Sequence, residues 1–510
     1  MQIFNRSFPA ILAACVALGA SSLFAQTKWV ATWGTSPEPL VSGQSGFNPP
    51  SIGLANNSVR QVLRVSIGGD TLRMRFSNEY TNVPVKINAV NIAVSTGAGV
   101  IDTNTIRNFK FNGADSVTMP ANGYVWSDGI AFPLTPGLKV EVTIWFGAGA
   151  PAAGTYPGMT VHRGSRTISR ILAGNHLRDL NFSGYVTTSQ PQGSFVISSI
   201  EVRAPQSAGA VAILGNSITD GFGITNESFT RWTDILTTNL LAHAKTSKVG
   251  VVNSGIGAGN LVSGGVSTAG LLRYKRDLFD HAGVKWIIIL LAVNDIGNSG
   301  CNLTTSNNVI AAYTTIADSA HARGIKVYGG TITPFNGNGY YSLNSEACRE
   351  RINTWVRTTN KYDAVIDFDK IVRNPADTSR ILTTYNNDGL HPNVAGYAVM
   401  GNSVDTNLFI EAEASVRGAS TSKGYSLSQA GSNGVKGGLN VRFRIPQEGF
   451  VSLKVYSMNG KEAATVAGRT FSTGEHRVSL SSGTLKSGVY LVAMKAGAFS
   501  VSRKVFVSGQ

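Results

Sequence analysis

Between residues 211 and 391 the chain carries a set of side chains suited to acyl transfer. Val211 to Gly221 reads Val-Ala-Ile-Leu-Gly-Asn-Ser-Ile-Thr-Asp-Gly. A strand-length apolar run stops at Gly215, so Ser217 is offered at a strand's carboxyl end, where open α/β sheets bind ligands. Taken alone, such a serine reads more readily as a cap for the next helix. Its company downstream changes that: a glycine-rich segment at 253–260, Asn294-Asp295 after the apolar run 286–291, and Asp388-Gly389-Leu390-His391. Ester hydrolysis by serine needs a base for its proton and donors for the tetrahedral oxyanion. His391 is the candidate base, with Asp388 three residues earlier to orient its ring. Asn294-Asp295 by itself is a turn with helix-capping ability. Asp318 and His321 share the Asp388–His391 spacing, but inside a helical pattern. His243, His281 and His321 read as surface or helix-end residues, and His162, His176 and His476 fall outside the catalytic region.

These residues need strands that end beside one another. Apolar runs predict strands at 210–214, 249–253, 286–291, 326–332 and 364–368, with helical patterns at 231–244, 269–280, 308–323 and 345–358. Alternation of strand and helix implies parallel pairing and a three-layer α/β/α domain over 206–412. Residues 26–205 alternate at period two instead (59–67, 71–76, 85–94, 138–146, 195–202), which predicts an N-terminal β-sandwich or jelly roll. Residues 28–37 read as the entry to that domain, packed on the catalytic one. Trp29, Trp33, Tyr124, Trp126 and Tyr156 are a conceivable sugar-stacking platform, although such residues more often anchor cores and turns. A Gly/Ser-rich linker at 413–438 precedes a small β-sandwich at 439–510, with strands near 439–445, 450–457, 475–479 and 488–495.

With Ser217, the glycine-rich block, Asn294 and His391 in that order, residues 210–410 resemble the SGNH (GDSL-type) hydrolases. Ser-Ile-Thr-Asp-Gly from Ser217, His-Ala-Arg-Gly from His321, Thr-Pro-Phe from Thr333 and Leu-His-Pro-Asn from Leu390 are similar to one secreted subgroup of that family. The resemblance implies a flavodoxin-like sheet and an oxyanion hole made by the Ser217 N–H, a glycine N–H and the Asn294 amide. Gly255 to Asn260 fits in more than one register; Gly259 is favoured, with Gly257 next. Asp295 is expected to hold its turn. The family usually has aspartate before the serine, and this chain has Asn216, which keeps the size and an acceptor oxygen but not the charge. From Val451 to Tyr456 and Ser487 to Tyr490, the last seventy residues resemble the C-terminal sorting domains of bacterial type IX secretion.

Composition fits this organisation. At 510 residues and 42% hydrophobic the chain is long enough for several packed cores. Residues 1–25 read as an export signal, with a lipid attachment at Cys15 as the competing reading. No stretch of the mature chain suits a bilayer span. The mature chain keeps Cys301 and Cys348, a disulfide pair or two separate buried thiols. From residue 415 onward there are thirteen Lys and Arg against three Glu, most of the formal +15. That balance suggests attachment to acidic envelope or plant-wall polymers, and in an exported protein it does not suggest a nucleic-acid partner. No metal or cofactor is implied. The expected protein is a secreted or surface-attached bacterial serine esterase, acting above all on acetyl esters of plant cell-wall polysaccharide such as acetylxylan. A lipase or lysophospholipase, and a carbohydrate-binding or adhesion protein on a retired hydrolase scaffold, are the alternatives.

Overall fold

The computed structural model describes residues 27–40, 53–148, 150, 160–187, 193–298, 300–411, 424–429, 439–457, 460–481, 484–497 and 499–507. The expected export signal, Cys15 and most of the expected linker lie outside them. The chain divides into two units, Met1–Ile410 and Glu411–Gln510. Among the described residues no helix is long and apolar enough to cross a membrane.

The first unit contains a five-stranded parallel sheet: β1 (Gly209–Gly215), β2 (Val249–Gly255), β3 (Val284–Leu290), β4 (Lys326–Gly330) and β5 (Ala364–Ile366), in the order β2-β1-β3-β4-β5. Strand order reverses at β1, so a crevice opens where β1 and β3 end. The apolar run of β1 is continuous because both of its faces are covered. Ala210, Ala212 and Leu214 join one buried cluster, to which helices α5 (Leu303–His321) and α6 (Leu343–Thr358) contribute Val309, Ile316, Ile352 and Val356. Val211 and Ile213 join the other, filled by Trp232 and Leu236 of α2 (Trp232–Ala242) and by Tyr397 and Met400 of α8 (Val394–Ser403). Helix α8 has no counterpart in the helical patterns of the sequence. Its glycines conceal it: a Cβ at Gly396 would stand 2.6 Å from the Tyr385 carbonyl oxygen, and one at Gly401 2.6 Å from that of Trp232. Helix α5 starts earlier than its predicted 308, because Asn302 accepts a hydrogen bond from the Thr305 N–H at 3.0 Å and caps it.

The N-terminal residues are mainly strands, in antiparallel sheets. One runs Thr27–Gly34, Ile197–Pro205, Gly69–Asn78, Gly123–Trp126; the other runs Ser169–Ala173, Asn57–Arg64, Lys139–Trp145, Ala89–Gly97, Val100–Ile101. Leu72, Phe76 and Val202 of the first sheet and Val59, Val140 and Ile144 of the second belong to the cluster that also holds Ala210 and Leu214. The N-terminal strands thus share a core with the parallel sheet. They also fasten its edge. The Val251 N–H donates to Ser66 Oγ at 2.9 Å and the Ala31 N–H to the Ala282 carbonyl at 2.8 Å. A Cβ at Gly250 would lie 2.0 Å from the Ala31 carbonyl oxygen, so only glycine permits this approach. A buried ion cluster adds a second fastening: Asp277 accepts from Arg273, Arg276 and Ser36, while Arg273 also donates to the Gly215 carbonyl at 3.0 Å and the Ser254 carbonyl at 2.9 Å.

One expectation is corrected by this packing. His281 is no surface residue: it is buried, 3.1 Å from Ser199 Oγ, and burial together with the Arg75 charge pushes its pKa down to about 3. Guanidinium groups lie over several of the rings considered for sugar stacking. Arg73 stands 4.6 Å from the Trp29 ring and 4.5 Å from that of Trp126, and Arg75 5.2 Å from that of Tyr124. Trp33 packs against the core and Tyr156 lies outside the described residues. Cys301 and Cys348 are joined as a disulfide, which ties the segment before α5 to α6.

The second unit is built of strands. Leu439–Ile445 pairs with Gly474–Leu480 and with Ser426–Gln429, a strand inside the expected linker. Gly449–Ser457 pairs with Glu462–Phe471 and Gly488–Ala496, and the last pairs with Phe499–Val507. Alternate residues Val441, Phe443, Val451, Leu453, Val492 and Met494 form its own core.

Candidate active site

Ser217 opens a single helical turn, α1 (Ser217–Asp220), directly after β1. Asn216 is the cap: its Oδ1 accepts the Ile218 N–H at 2.9 Å, a task the uncharged amide performs as well as a carboxylate. The turn packs tightly onto the sheet. A Cβ at Gly215 would stand 2.2 Å from Thr219 Oγ1, and one at Gly255 2.6 Å from the Asp220 nitrogen. The Ser217 N–H, at the first helical position, has no intrahelical acceptor and is free to meet charge in front of it.

Ser217 Oγ lies 2.8 Å from His391 Nε2, and His391 Nδ1 lies 2.8 Å from Asp388 Oδ2. The second contact is local in origin. Asp388 Oδ1 accepts the N–H groups of Leu390 at 3.1 Å and His391 at 2.8 Å, closing a turn that fixes carboxylate and ring together. Gly389 takes φ +86° there, and a Cβ would meet the Gly337 carbonyl carbon at 2.4 Å. Burial holds the His391 pKa below its ordinary value and the Arg166 charge adds to this, against the pull of Asp388, so the ring is neutral and basic at pH 7. Burial raises the Asp388 carboxyl, but its hydrogen bonds from His391 outweigh that and leave it below the usual range. Phe222 stacks on the His391 ring at 4.2 Å and is itself tied by the Tyr397 hydroxyl, which donates to its carbonyl at 2.9 Å.

Asn294 follows β3, at the start of α4 (Val293–Asn298), and is buried beside the same cleft. One of its amide N–H groups donates to the Gly259 carbonyl at 2.7 Å and its Oδ1 accepts from the Tyr340 hydroxyl at 3.3 Å, which leaves the second N–H for a ligand. Asp295 braces the neighbouring loop: its carboxylate accepts the N–H groups of Leu261 at 2.7 Å and Val262 at 2.9 Å. Gly259 is a correction. Its N–H is spent on the Ile256 carbonyl at 3.0 Å and its own carbonyl anchors Asn294, whereas Gly257 and Ala258 line the cleft.

The cleft measures about 220 Å³ and gathers Ser217, His391, Asn294 and Gly257. Part of its wall comes from the turn that follows the N-terminal strand Thr160–His162, through Arg163, Gly164 and Arg166, together with Asp220 from α1. Sequence reading placed none of these four at the site. His162, set outside the catalytic region, is a correction too: its Nε2 lies 3.0 Å from Asp220 Oδ1 and its Nδ1 3.0 Å from the Ser36 carbonyl oxygen. Arg163 donates through its N–H and Nε to the buried carboxylate of Glu38, at 3.0 and 3.1 Å. The one sequence signal was Asp220 itself, which at three residues past Ser217 must share its helix face.

Residues 213–399 match the model of the GDSL-like lipase/acylhydrolase family, and residues 433–508 match that of a secretion system C-terminal sorting domain. Comparison with curated proteins finds no match. Among solved structures, a GDSL-like lipase from Bacteroides thetaiotaomicron VPI-5482 is 20% identical, over 38% of this chain and 84% of that one, with a TM-score of 0.28. A catalytic mutant of an acetylxylan esterase from Geobacillus stearothermophilus is 16% identical, over 38% and 91%, with a TM-score of 0.31.

Proposed function

For a chain that carries a GDSL-type acylhydrolase domain and a bacterial secretion sorting domain, and so is secreted or held at the cell surface, we propose the function of a serine esterase for short acyl groups, acetyl above all, on plant cell-wall polysaccharide such as acetylxylan. The observation that carries the catalytic part is the line of contacts from Ser217 Oγ through the His391 ring to Asp388, 2.8 Å at each step. His391 Nε2 takes the Ser217 proton as Oγ attacks the ester carbonyl, and Asp388 holds the ring and stabilises its positive charge. The Ser217 N–H, the Gly257 N–H and the second amide N–H of Asn294 receive the oxyanion. His391 then protonates the departing alcohol, and water, deprotonated by the same ring, frees the acyl group and restores Ser217. Preference for short acyl groups rests on a cleft of about 220 Å³ with charged walls. Binding of the basic C-terminal unit to acidic wall polymers belongs to the same reading.

The test is hydrolysis of p-nitrophenyl esters from acetate to palmitate, with acetylated xylan alongside, for the intact protein and Ser217→Ala. Turnover confined to short esters and acetylxylan, falling by at least about 10³-fold in the variant, is the expected result. Preference for palmitate overturns the substrate class, and turnover that survives Ser217→Ala overturns the nucleophile.

A further inference from the structure

Asn294 can serve an oxyanion only if its side-chain amide is held in one of its two flips. The end bonded to the Gly259 carbonyl at 2.7 Å must be the nitrogen, because both Gly259 O and Asn294 Oδ1 can only accept. Oδ1 then points the other way, and a second N–H is left for the cleft. A single bond would still let the amide swing about it. The Tyr340 hydroxyl supplies a second one on the opposite side, donating to Oδ1 at 3.3 Å. Burial raises the Tyr340 pKa above its ordinary value and the hydrogen bond to Asn298 offsets only part of that, so the phenol keeps its proton at neutral pH and can donate.

Tyr340 is itself gripped from two sides. Its ring lies against the α4 backbone at Gly297, where a Cβ would stand 2.1 Å from Tyr340 Cγ. Gly297 has no positive φ that calls for glycine, so close approach of the ring is what the missing side chain permits. On the other side the Tyr340 N–H donates to Asn338 Oδ1 at 3.2 Å, and its carbonyl accepts from Ser345 Oγ, in the first turn of α6, at 2.9 Å. The Cys301–Cys348 disulfide joins the segment after α4 to the same helix. Hydroxyl and amide thus meet across two elements that are fastened to each other, beside the cleft that both residues line.

We propose that Tyr340 is the positioning residue of the oxyanion hole: its hydroxyl sets the Asn294 amide so that the free N–H faces the ester carbonyl oxygen as that oxygen becomes negative. This rests on Ser217 as nucleophile and Asn294 as oxyanion donor, and it deepens that reading by a residue that no motif of the sequence carries.

The test is a double-mutant cycle on the full chain with Tyr340→Phe, Asn294→Ala and the two together, assayed on p-nitrophenyl acetate and butyrate. Losing an oxyanion donor costs about 10²- to 10³-fold in kcat, the loss expected for Asn294→Ala. Tyr340→Phe deletes one oxygen and is expected to keep the wild-type thermal midpoint, to lower kcat about 10-fold with KM changed less than about two-fold, and to do so equally on both esters. Acylation and deacylation both pass through an oxyanion, so kcat falls whichever step limits. In the Asn294→Ala background the same substitution costs nothing further. Gly297→Ala drives the ring off α4 while leaving both polar groups in place, and it repeats the loss of kcat. Wild-type kcat in Tyr340→Phe or Gly297→Ala overturns the proposal. An undiminished loss when Asn294 is gone does the same, as does a loss in KM alone or on butyrate alone, since each assigns Tyr340 to the cleft wall. If Asn294→Ala keeps the wild-type kcat while Ser217→Ala abolishes turnover, the amide is no oxyanion donor and the proposal falls with the esterase intact. If Ser217→Ala leaves turnover unchanged, the nucleophile reading falls and takes this one with it.

Discussion

Replacing Asp277 by asparagine keeps the shape of a buried anion and deletes its charge. Asp277 and Arg273 are buried to 1% and 0% side-chain exposure, with Arg273 Nη1 2.5 Å from Oδ2 and Arg276 Nε 2.7 Å from Oδ1. Burial drives the Asp277 carboxyl up, but Arg276 and Arg273 outweigh it and bring it to about 2 from an ordinary 3.8. That difference contributes about 2 kcal/mol of stability above pH 4. The sign follows from linkage: as pH falls through 3.8 the unfolded chain takes up the proton first, so this contribution is lost between about pH 4 and pH 2. Asparagine does more than neutralise. It leaves Arg273 buried without a counter-charge and turns an amide N–H toward one of the two cations, so the full loss at pH 7 is about 3–5 kcal/mol. All seven tryptophans precede residue 411, so urea unfolding followed by tryptophan fluorescence reports on the first unit. With a slope of roughly 3 kcal/mol/M, the midpoint falls by about 1 M or more. Because Arg273 also holds the Gly215 and Ser254 carbonyls at the ends of β1 and β2, ester turnover falls as well. A loss below about 1 kcal/mol at pH 7 would refute the reasoning, since the cations would then have found solvent or other partners.

Since burial lowers the His391 pKa, kcat/KM for ester hydrolysis rises with pH through a midpoint below 6.5 and is flat at neutral pH. Phe222→Ala uncovers the ring, and its pH–rate profile moves toward 6.5 with a reduced kcat; a wild-type midpoint above 6.5 contradicts this account. Ala292, two residues before Asn294, sits at φ +114°, so Ala292→Gly relieves strain and raises the thermal midpoint by about 2 °C; a fall in the midpoint would count against strain there. Reducing the Cys301–Cys348 disulfide, which spans 47 residues, removes up to about 4 kcal/mol in denaturant titration, and an unchanged midpoint argues against it.

Much of the site was legible because it is local. Asp388 and His391 meet through a turn that Asp388 closes with its own neighbours, so their spacing alone carries the contact. Ser217 was legible through the apolar run before it, which is continuous because β1 is covered on both faces. The parallel strands were readable for the same reason. Helix α8 was not, since glycines at the contacts with Tyr385 and Trp232 broke the apolar period that marks a helix.

By itself the sequence determined those features that neighbours in the chain enforce: the strand-end serine and the Asp388–His391 turn. Tertiary structure decided the rest. Which glycine faces the cleft depends on Asn294 and Asp295 gripping the second block from another strand end, which turns Gly259 away and presents Gly257. His162 and Gly164 reach Asp220 from more than fifty residues upstream, and His281 is buried, because the N-terminal strands share a core with the parallel sheet. No periodicity records such a contact, since the side chains that meet belong to elements with separate patterns and only packing sets the distance between them.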